Sequence, residues 1–116
     1  MPTVGEHVAH LQRVTAAKAA RAGYTRAKAA KFRASQQWRR ARYRCLAENA
    51  RRHLDGNARC ELCSRTAEES GRSLHVDHRA PVSKCWERRL DPANLRVMCG
   101  DCNEGRSNRP LEGEEP

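Results

Sequence analysis

Large apolar residues are scarce in this chain. It has no isoleucine, one phenylalanine, two tryptophans and two tyrosines, and it has only eight leucines and six valines. Much of the remaining hydrophobic content is alanine, which buries little surface. Because such a core falls short of the conformational entropy lost on folding, a staple such as bound metal or disulfides is expected.

A long apolar run and a charged-then-apolar leader are also lacking. A membrane-spanning helix needs about 20 mostly apolar residues, so no membrane partner is expected. With neither export nor insertion indicated, the expected location is the cytoplasm. In a reducing cytosol, paired cysteines at Cys-x2-Cys spacing serve zinc more readily than disulfides.

Proline is absent between Pro2 and Pro81, and helix-forming residues dominate much of that stretch. We therefore predict helix over residues 7–54, in two pieces separated at Gly23. The first piece carries few large apolar residues and is expected to dock poorly. In the second piece Trp38 is expected to pack in the core, and helical spacing predicts one buried stripe made of Tyr43, Leu46, Ala47, Ala50 and Leu54.

Positive charge is concentrated in the first half of the chain. Residues 1–55 hold 13 lysines and arginines against 3 acids, whereas residues 56–110 hold 10 against 8. A polyanion such as nucleic acid is the expected partner of such a segment. A solvated helix that is basic for solubility is the simpler alternative.

Two cysteine pairs predict a metal clamp. Cys60 and Cys63 form one Cys-x2-Cys pair, and Cys99 and Cys102 form the other. Two such knuckles can present four thiolates to one ion, which is the closed arrangement of a structural Zn²⁺ site. Two disulfides are the competing interpretation.

Oxygen and nitrogen donors accompany the clamp. Asp77-His78 lies between the pairs, at the end of a short strand predicted over residues 73–78, and Asn103 follows the last cysteine. A second strand is predicted over 95–98 and a helix over 102–108. Aspartate and asparagine offer the oxygen ligands that Mg²⁺ or Mn²⁺ prefers, and a histidine can take a proton from water near neutral pH. Such groups suit phosphodiester hydrolysis; taken alone, Asp77-His78 could equally be a surface hydrogen-bonding pair.

From Trp38 to Asn108 the chain resembles the HNH endonucleases, specifically the four-cysteine zinc branch of the ββα-metal fold that is found often in phages and prophages. The motifs match in order: Trp38-Arg39, Arg42-Tyr43, Cys60-x2-Cys63, Leu74 to His78 with Pro81, Ser83 and Lys84, Asn94-Leu95, and Cys99-x2-Cys102-Asn103. Two departures concern loops, because Ser64 and Cys85-Trp86 stand where glycines are common.

The resemblance implies an α+β fold. A zinc-stabilised ββα-metal domain is expected over residues 35–110, with a leading helix over 35–55. A basic, alanine-rich helical arm over 1–34, expected to be mobile until it meets a polyanion, would precede it, and an acidic tail over 111–116 would follow it. A phage- or prophage-encoded chain would work in the cytoplasm of a bacterial host.

The resemblance also implies roles for single residues. The first histidine of the family falls on His78 as general base, its middle asparagine on Asn94 and its last motif position on Asn103. Asp77 and Asn103 would bind the catalytic Mg²⁺ or Mn²⁺, and Asn94 would brace a loop by hydrogen bonds. Cleavage in this family leaves a 5′ phosphate and a 3′ hydroxyl.

The expected function is therefore that of a metal-dependent DNA endonuclease. Phosphate contacts are expected from basic residues on two helices: Arg40, Arg44, Arg51 and Arg106. RNA as substrate, a homodimer and an association with phage packaging proteins are left open. The alternative is a noncatalytic, zinc-containing module that binds nucleic acid in a packaging or regulatory complex, although such a module needs neither Asp77 nor His78.

Overall fold

The computed structural model describes the backbone of residues 3–21 and 23–106, and the side chains of 3–15 and 23–105. The predicted acidic tail at 111–116 lies outside the described residues. Within them, helices and strands follow in the order α1 (Val4–Arg21), α2 (Arg26–Arg33), α3 (Gln36–Arg51), α4 (Ala67–Ser70), β1 (His75–His78), β2 (Leu95–Met98) and α5 (Gly100–Arg106). The predicted α+β class is confirmed. None of the described helices combines the length and apolarity that crossing a membrane requires.

The helical first half consists of three helices rather than the two expected. Gly23 lies between α1 and α2 with a φ of 87°, so the predicted break there is confirmed. A second break precedes α3, where the Ser35 hydroxyl accepts a hydrogen bond from the Trp38 N–H at 3.1 Å. Serine is a favoured N-cap because its oxygen satisfies an amide that has no partner within the helix.

Both predicted strands are present, and they form an antiparallel pair. Asp77 lies opposite Arg96 and His78 lies opposite Leu95. All four residues of β2 are buried, while β1 is partly exposed. Helix α5 follows β2 and contacts β1. The strand that carries Asp77 and His78 is thereby held between a buried neighbour and a helix.

The main apolar cluster joins the helical half to the sheet. Phe32, Trp38 and Leu95 are buried together, and the Phe32 and Trp38 ring centroids lie 5.2 Å apart. The prediction that Trp38 packs in the core is confirmed. The expectation that the segment up to residue 34 docks poorly is wrong for α2, because its one large aromatic residue, Phe32, enters this core. The domain boundary at residue 34 stays a prediction.

The buried side of α3 differs from the predicted stripe. Tyr43 is 77% exposed and Leu54 is fully exposed, whereas Trp38 and Asn49 are buried. Asn49 pairs with the Arg59 backbone, donating to its oxygen at 3.0 Å and accepting from its N–H at 2.8 Å. The stripe was mispredicted because alanine gives a weak periodic signal and because a buried asparagine looks polar in the sequence.

Candidate functional site

The four predicted cysteine ligands converge. The sulfur atoms of Cys60, Cys63, Cys99 and Cys102 all lie within 4.8 Å of one another. The first pair sits in a turn closed by the Ser64 N–H, which donates to the Cys60 oxygen at 2.9 Å. Ser64 has a φ of 66°, a left-handed conformation that glycine adopts without strain. Four converging sulfurs suit one tetrahedrally coordinated metal ion, so this cluster is a candidate metal centre.

Arg65 is a partner of the cluster that sequence reasoning missed. Its guanidinium donates to the Cys63 sulfur at 3.3 Å, to the Cys99 sulfur at 3.5 Å and to Asp101 at 3.1 Å. The hydrogen bonds that Cys63 receives from the Arg65 side chain and backbone lower the pKa of the Cys63 thiol to about 6. Arg65 thus favours the thiolate form that binds metal. Only its closeness to Cys63 in the sequence could have suggested this role.

His78 is fixed on two sides at the end of β1. Its ring stacks on Trp38 with centroids 4.8 Å apart and planes 17° from parallel. Its Nε2 lies 2.9 Å from the Arg89 carbonyl oxygen. Because a carbonyl oxygen only accepts, Nε2 carries the hydrogen, and Nδ1 is the atom that can take a proton. Burial lowers the pKa of His78, so the imidazole is neutral at pH 7, as a general base must be.

Asp77 faces a buried arginine across the sheet. Arg96 is 2% exposed, and its guanidinium lies 3.7 Å from an Asp77 carboxylate oxygen. A charge so deeply buried needs compensation nearby, and the two side chains come from paired positions of β1 and β2. Asp77 is therefore held by its strand partner. This contact was not predictable, because the sequence alone does not reveal the register in which two short strands pair.

Asn94 lies behind the site, fully buried. Its side chain accepts from the Ala80 N–H at 2.8 Å and donates to the Ala80 and Arg88 oxygens at 3.2 and 3.1 Å. It therefore ties the loop after β1 to the segment that ends at Arg89, whose carbonyl meets His78. This geometry suits the brace expected from the sequence, and that role stays a prediction.

Replacing Asn94 with alanine is expected to lower the free energy of unfolding by roughly 2–4 kcal/mol, since buried partner groups are left without hydrogen bonds. Urea unfolding followed by circular dichroism at a fixed metal concentration measures the change. Asn57→Ala, at an exposed position after α3, is the matched control and is expected to change stability little. A fully stable Asn94→Ala protein would contradict the brace.

Asn103 lies on α5, the helix that contacts β1. Its side chain is half-buried, and its N–H donates to the Cys99 oxygen at 2.9 Å. Cys99 and Cys102 thus belong to the same stretch of chain as Asn103. Asn103 and Asp77 lie on contacting elements, α5 and β1, and their binding of one ion stays a prediction.

A groove of about 560 Å³ opens in front of β1. Asp77 and His78 line it on the strand side, and Arg39, Arg42 and Tyr43 line it on the α3 side. Of the predicted phosphate contacts, Arg40, Arg44 and Arg51 lie together on the outer face of α3, along a second, shallow groove. The side chain of Arg106 lies outside the described residues.

A ββα unit with a four-cysteine cluster and an Asp-His pair on its first strand defines a small α+β domain with a candidate metal centre. Residues 60–109 match the family model of the HNH endonucleases. The predicted resemblance to the HNH endonucleases is thereby confirmed over this part of the chain.

One similar solved structure is an HNH endonuclease of the deep-sea thermophilic bacteriophage GVE2, determined with a manganese ion. The two chains are 27% identical, with a TM-score of 0.50 over 68% of this chain and 77% of that chain. No curated protein sequence matches this chain. The likeness to a bacteriophage protein agrees with the predicted phage-type relationship.

Proposed function

We propose that this protein is a metal-dependent endonuclease that hydrolyses phosphodiester bonds in DNA. The observation that carries the proposal is the state of His78. Its imidazole is neutral, is held by Trp38 and Arg89 with Nδ1 as the proton acceptor, and lies beside a carboxylate in an open groove. A noncatalytic binding module has no use for a base prepared in this way.

In the proposed reaction, His78 takes a proton from a water molecule as the water oxygen attacks phosphorus. Removal of this proton by a positioned base is worth about 10²–10⁴-fold in rate. The bond from phosphorus to the 3′ oxygen breaks, and that oxygen acquires a proton. The products are a 5′ phosphate and a 3′ hydroxyl.

Asp77 and Asn103 are the proposed ligands of one catalytic Mg²⁺ or Mn²⁺. Their oxygens are of the kind such ions prefer. The ion would neutralise charge on the phosphate and on the departing oxygen. Arg96, buried across from Asp77, would keep the carboxylate oriented for this task.

The cysteine cluster is the proposed site of a structural Zn²⁺. All four donors are sulfurs, and a site closed by four protein ligands leaves no position for substrate. Binding such an ion is worth roughly 10–16 kcal/mol in small zinc-folded domains, enough to offset the thin apolar core. Arg65 would offset part of the negative charge that four thiolates bring.

The proposed DNA contacts lie on the outer face of α3. Arg40, Arg44 and Arg51 project there along one side of the helix. Such residues bind phosphate without reading sequence, so affinity is expected to fall steeply with salt.

A supercoiled plasmid tests the proposal. With Mg²⁺ or Mn²⁺ the protein is expected to convert the plasmid to open circles, and DNA ligase is expected to reseal them, because it requires a 5′ phosphate beside a 3′ hydroxyl. Without added divalent ion no nicking is expected. The ion is withheld rather than chelated, since a chelator also attacks the cysteine cluster. Persistent DNA binding without cleavage under any ion would favour the noncatalytic module instead.

A further inference from the structure

Tyr43 is an exposed aromatic residue with no packing role. It is 77% exposed in the middle of α3, although the sequence placed it in the core. It lines the active-site groove together with Asp77 and His78, and it also lines the groove on the outer face of α3. Tyr43, together with Arg39, thus lies where the proposed catalytic groove and the basic face meet.

Positive charge surrounds this ring. The flanking guanidinium groups are those of Arg39, Arg40, Arg42, Arg44 and, farther along α3, Arg51. In the described part of the chain, no carboxylate forms an ion pair with these arginines. The ion pairs of the described residues lie outside α3, for instance between Arg59 and Asp55. An aromatic face amid arginines that lack acidic partners suits a chain of phosphates that carries aromatic bases.

Resting on the proposed endonuclease function, we propose that Tyr43 stacks on an unpaired base next to the scissile phosphate. The protein therefore prefers DNA with unpaired nucleotides, such as single strands, bulges and bubbles, over regular duplex. Tyr43 is in this view a specificity-determining residue for the substrate of the groove.

The physical reason is that base faces are covered in a duplex. A ring can stack on a base only if that base leaves its neighbours, and leaving costs least where the base is already unpaired. The groove of about 560 Å³ is within the size range of small-ligand sites, roughly 300–1,000 Å³, so a base has room beside Tyr43. Arginines on both sides of the ring would hold the flanking phosphates.

The test compares three DNAs of one sequence: a single strand, a duplex, and a duplex with a three-nucleotide bubble. Each carries 2-aminopurine, whose fluorescence is quenched by stacking, at one position that is paired in the duplex and unpaired in the single strand and the bubble. Binding is measured without divalent ion so that nothing is cut. Tyr43→Ala is expected to lose about 5- to 100-fold in affinity for the single strand and the bubble, and to change duplex affinity by less than about twofold. Tyr43→Ala is also expected to abolish the quenching of 2-aminopurine fluorescence. Tyr43→Phe is expected to retain both the affinity for unpaired DNA and the quenching.

Arg40→Ala is the matched control, because loss of a phosphate contact is expected to weaken all three complexes by a similar factor. The proposal is overturned if Tyr43→Ala also weakens all three alike, or if the wild type shows no preference for unpaired DNA. Plasmid nicking by the wild type separates this proposal from the proposed endonuclease function. If the wild type nicks but Tyr43→Ala has no effect on binding, base stacking is rejected and the endonuclease function stands. If Tyr43 stacks but none of these DNAs is cleaved in Mg²⁺ or Mn²⁺, the endonuclease function is rejected and base stacking stands. The exposure of Tyr43 makes a folding defect in its variants unexpected, and circular dichroism checks this.

Discussion

Replacing His78 with alanine is expected to abolish plasmid nicking in Mg²⁺ and in Mn²⁺. The substitution removes the imidazole that Trp38 and the Arg89 carbonyl hold in place. Loss of a general base costs about 10²–10⁴-fold in rate, which brings cleavage to the limit of detection in a gel assay. The measurement is the initial rate of conversion from supercoiled to open-circular plasmid.

The structure offers a control for this variant. His10 lies exposed on α1, away from the groove, so His10→Ala is expected to nick at the wild-type rate. Zinc content and DNA affinity are expected to be nearly unchanged in His78→Ala, because His78 belongs neither to the sulfur cluster nor to the lining of the groove on the outer face of α3. Full activity of this variant would reject His78 as the base, and loss of zinc would show that the defect is one of folding.

Replacing Cys99 with serine is expected to remove bound zinc and cooperative folding together. Cys99 is completely buried and packs with Cys60 and Met98 in the second apolar cluster. A serine hydroxyl is a poor zinc ligand, and the zinc contribution of roughly 10–16 kcal/mol equals or exceeds the usual stability of a whole domain. Zinc stoichiometry and the urea transition, measured on the same sample, report the two losses.

Cys85→Ser is the matched control, since Cys85 is half-buried in the turn before the segment Trp86–Arg88 and lies outside the sulfur cluster. It is expected to keep one zinc ion and a cooperative transition. A well-folded, zinc-free Cys99→Ser protein would refute the clamp. If Cys99→Ser and Cys85→Ser both lose zinc, zinc binding would depend on the number of thiols in the chain rather than on the four-cysteine cluster.

Local signals made much of the site predictable. The spacing of two residues within each cysteine pair allows one turn of chain to present both sulfurs, and alternation over 73–78 marks β1. Asp77-His78 and Asn103 were assigned from their order relative to those cysteines. Each of these inferences needs only a few neighbouring residues.

Contacts between residues distant in sequence were harder to predict than the local features of the site. Phe32 was assigned to a poorly docked arm, yet it lies against Trp38 because α2 turns back onto the sheet. Trp86, which stands where the family often has glycine, packs on Phe32 and lies close against the Gly23 backbone. Trp86 and the helical arm thus stabilise each other's positions. The sequence around either one does not indicate this contact.

By itself, the sequence determined the four-cysteine cluster, the two strands and the identity of the proposed base, because cysteine spacing and strand alternation are local properties of the chain. Only the tertiary structure decided that Arg96 meets Asp77, that the Arg89 carbonyl orients His78, and that Tyr43 faces the groove rather than the core. These contacts depend on strand register and on which side of a helix meets the sheet. Both are set by the packing of residues distant in sequence, which an alanine-rich pattern encodes weakly.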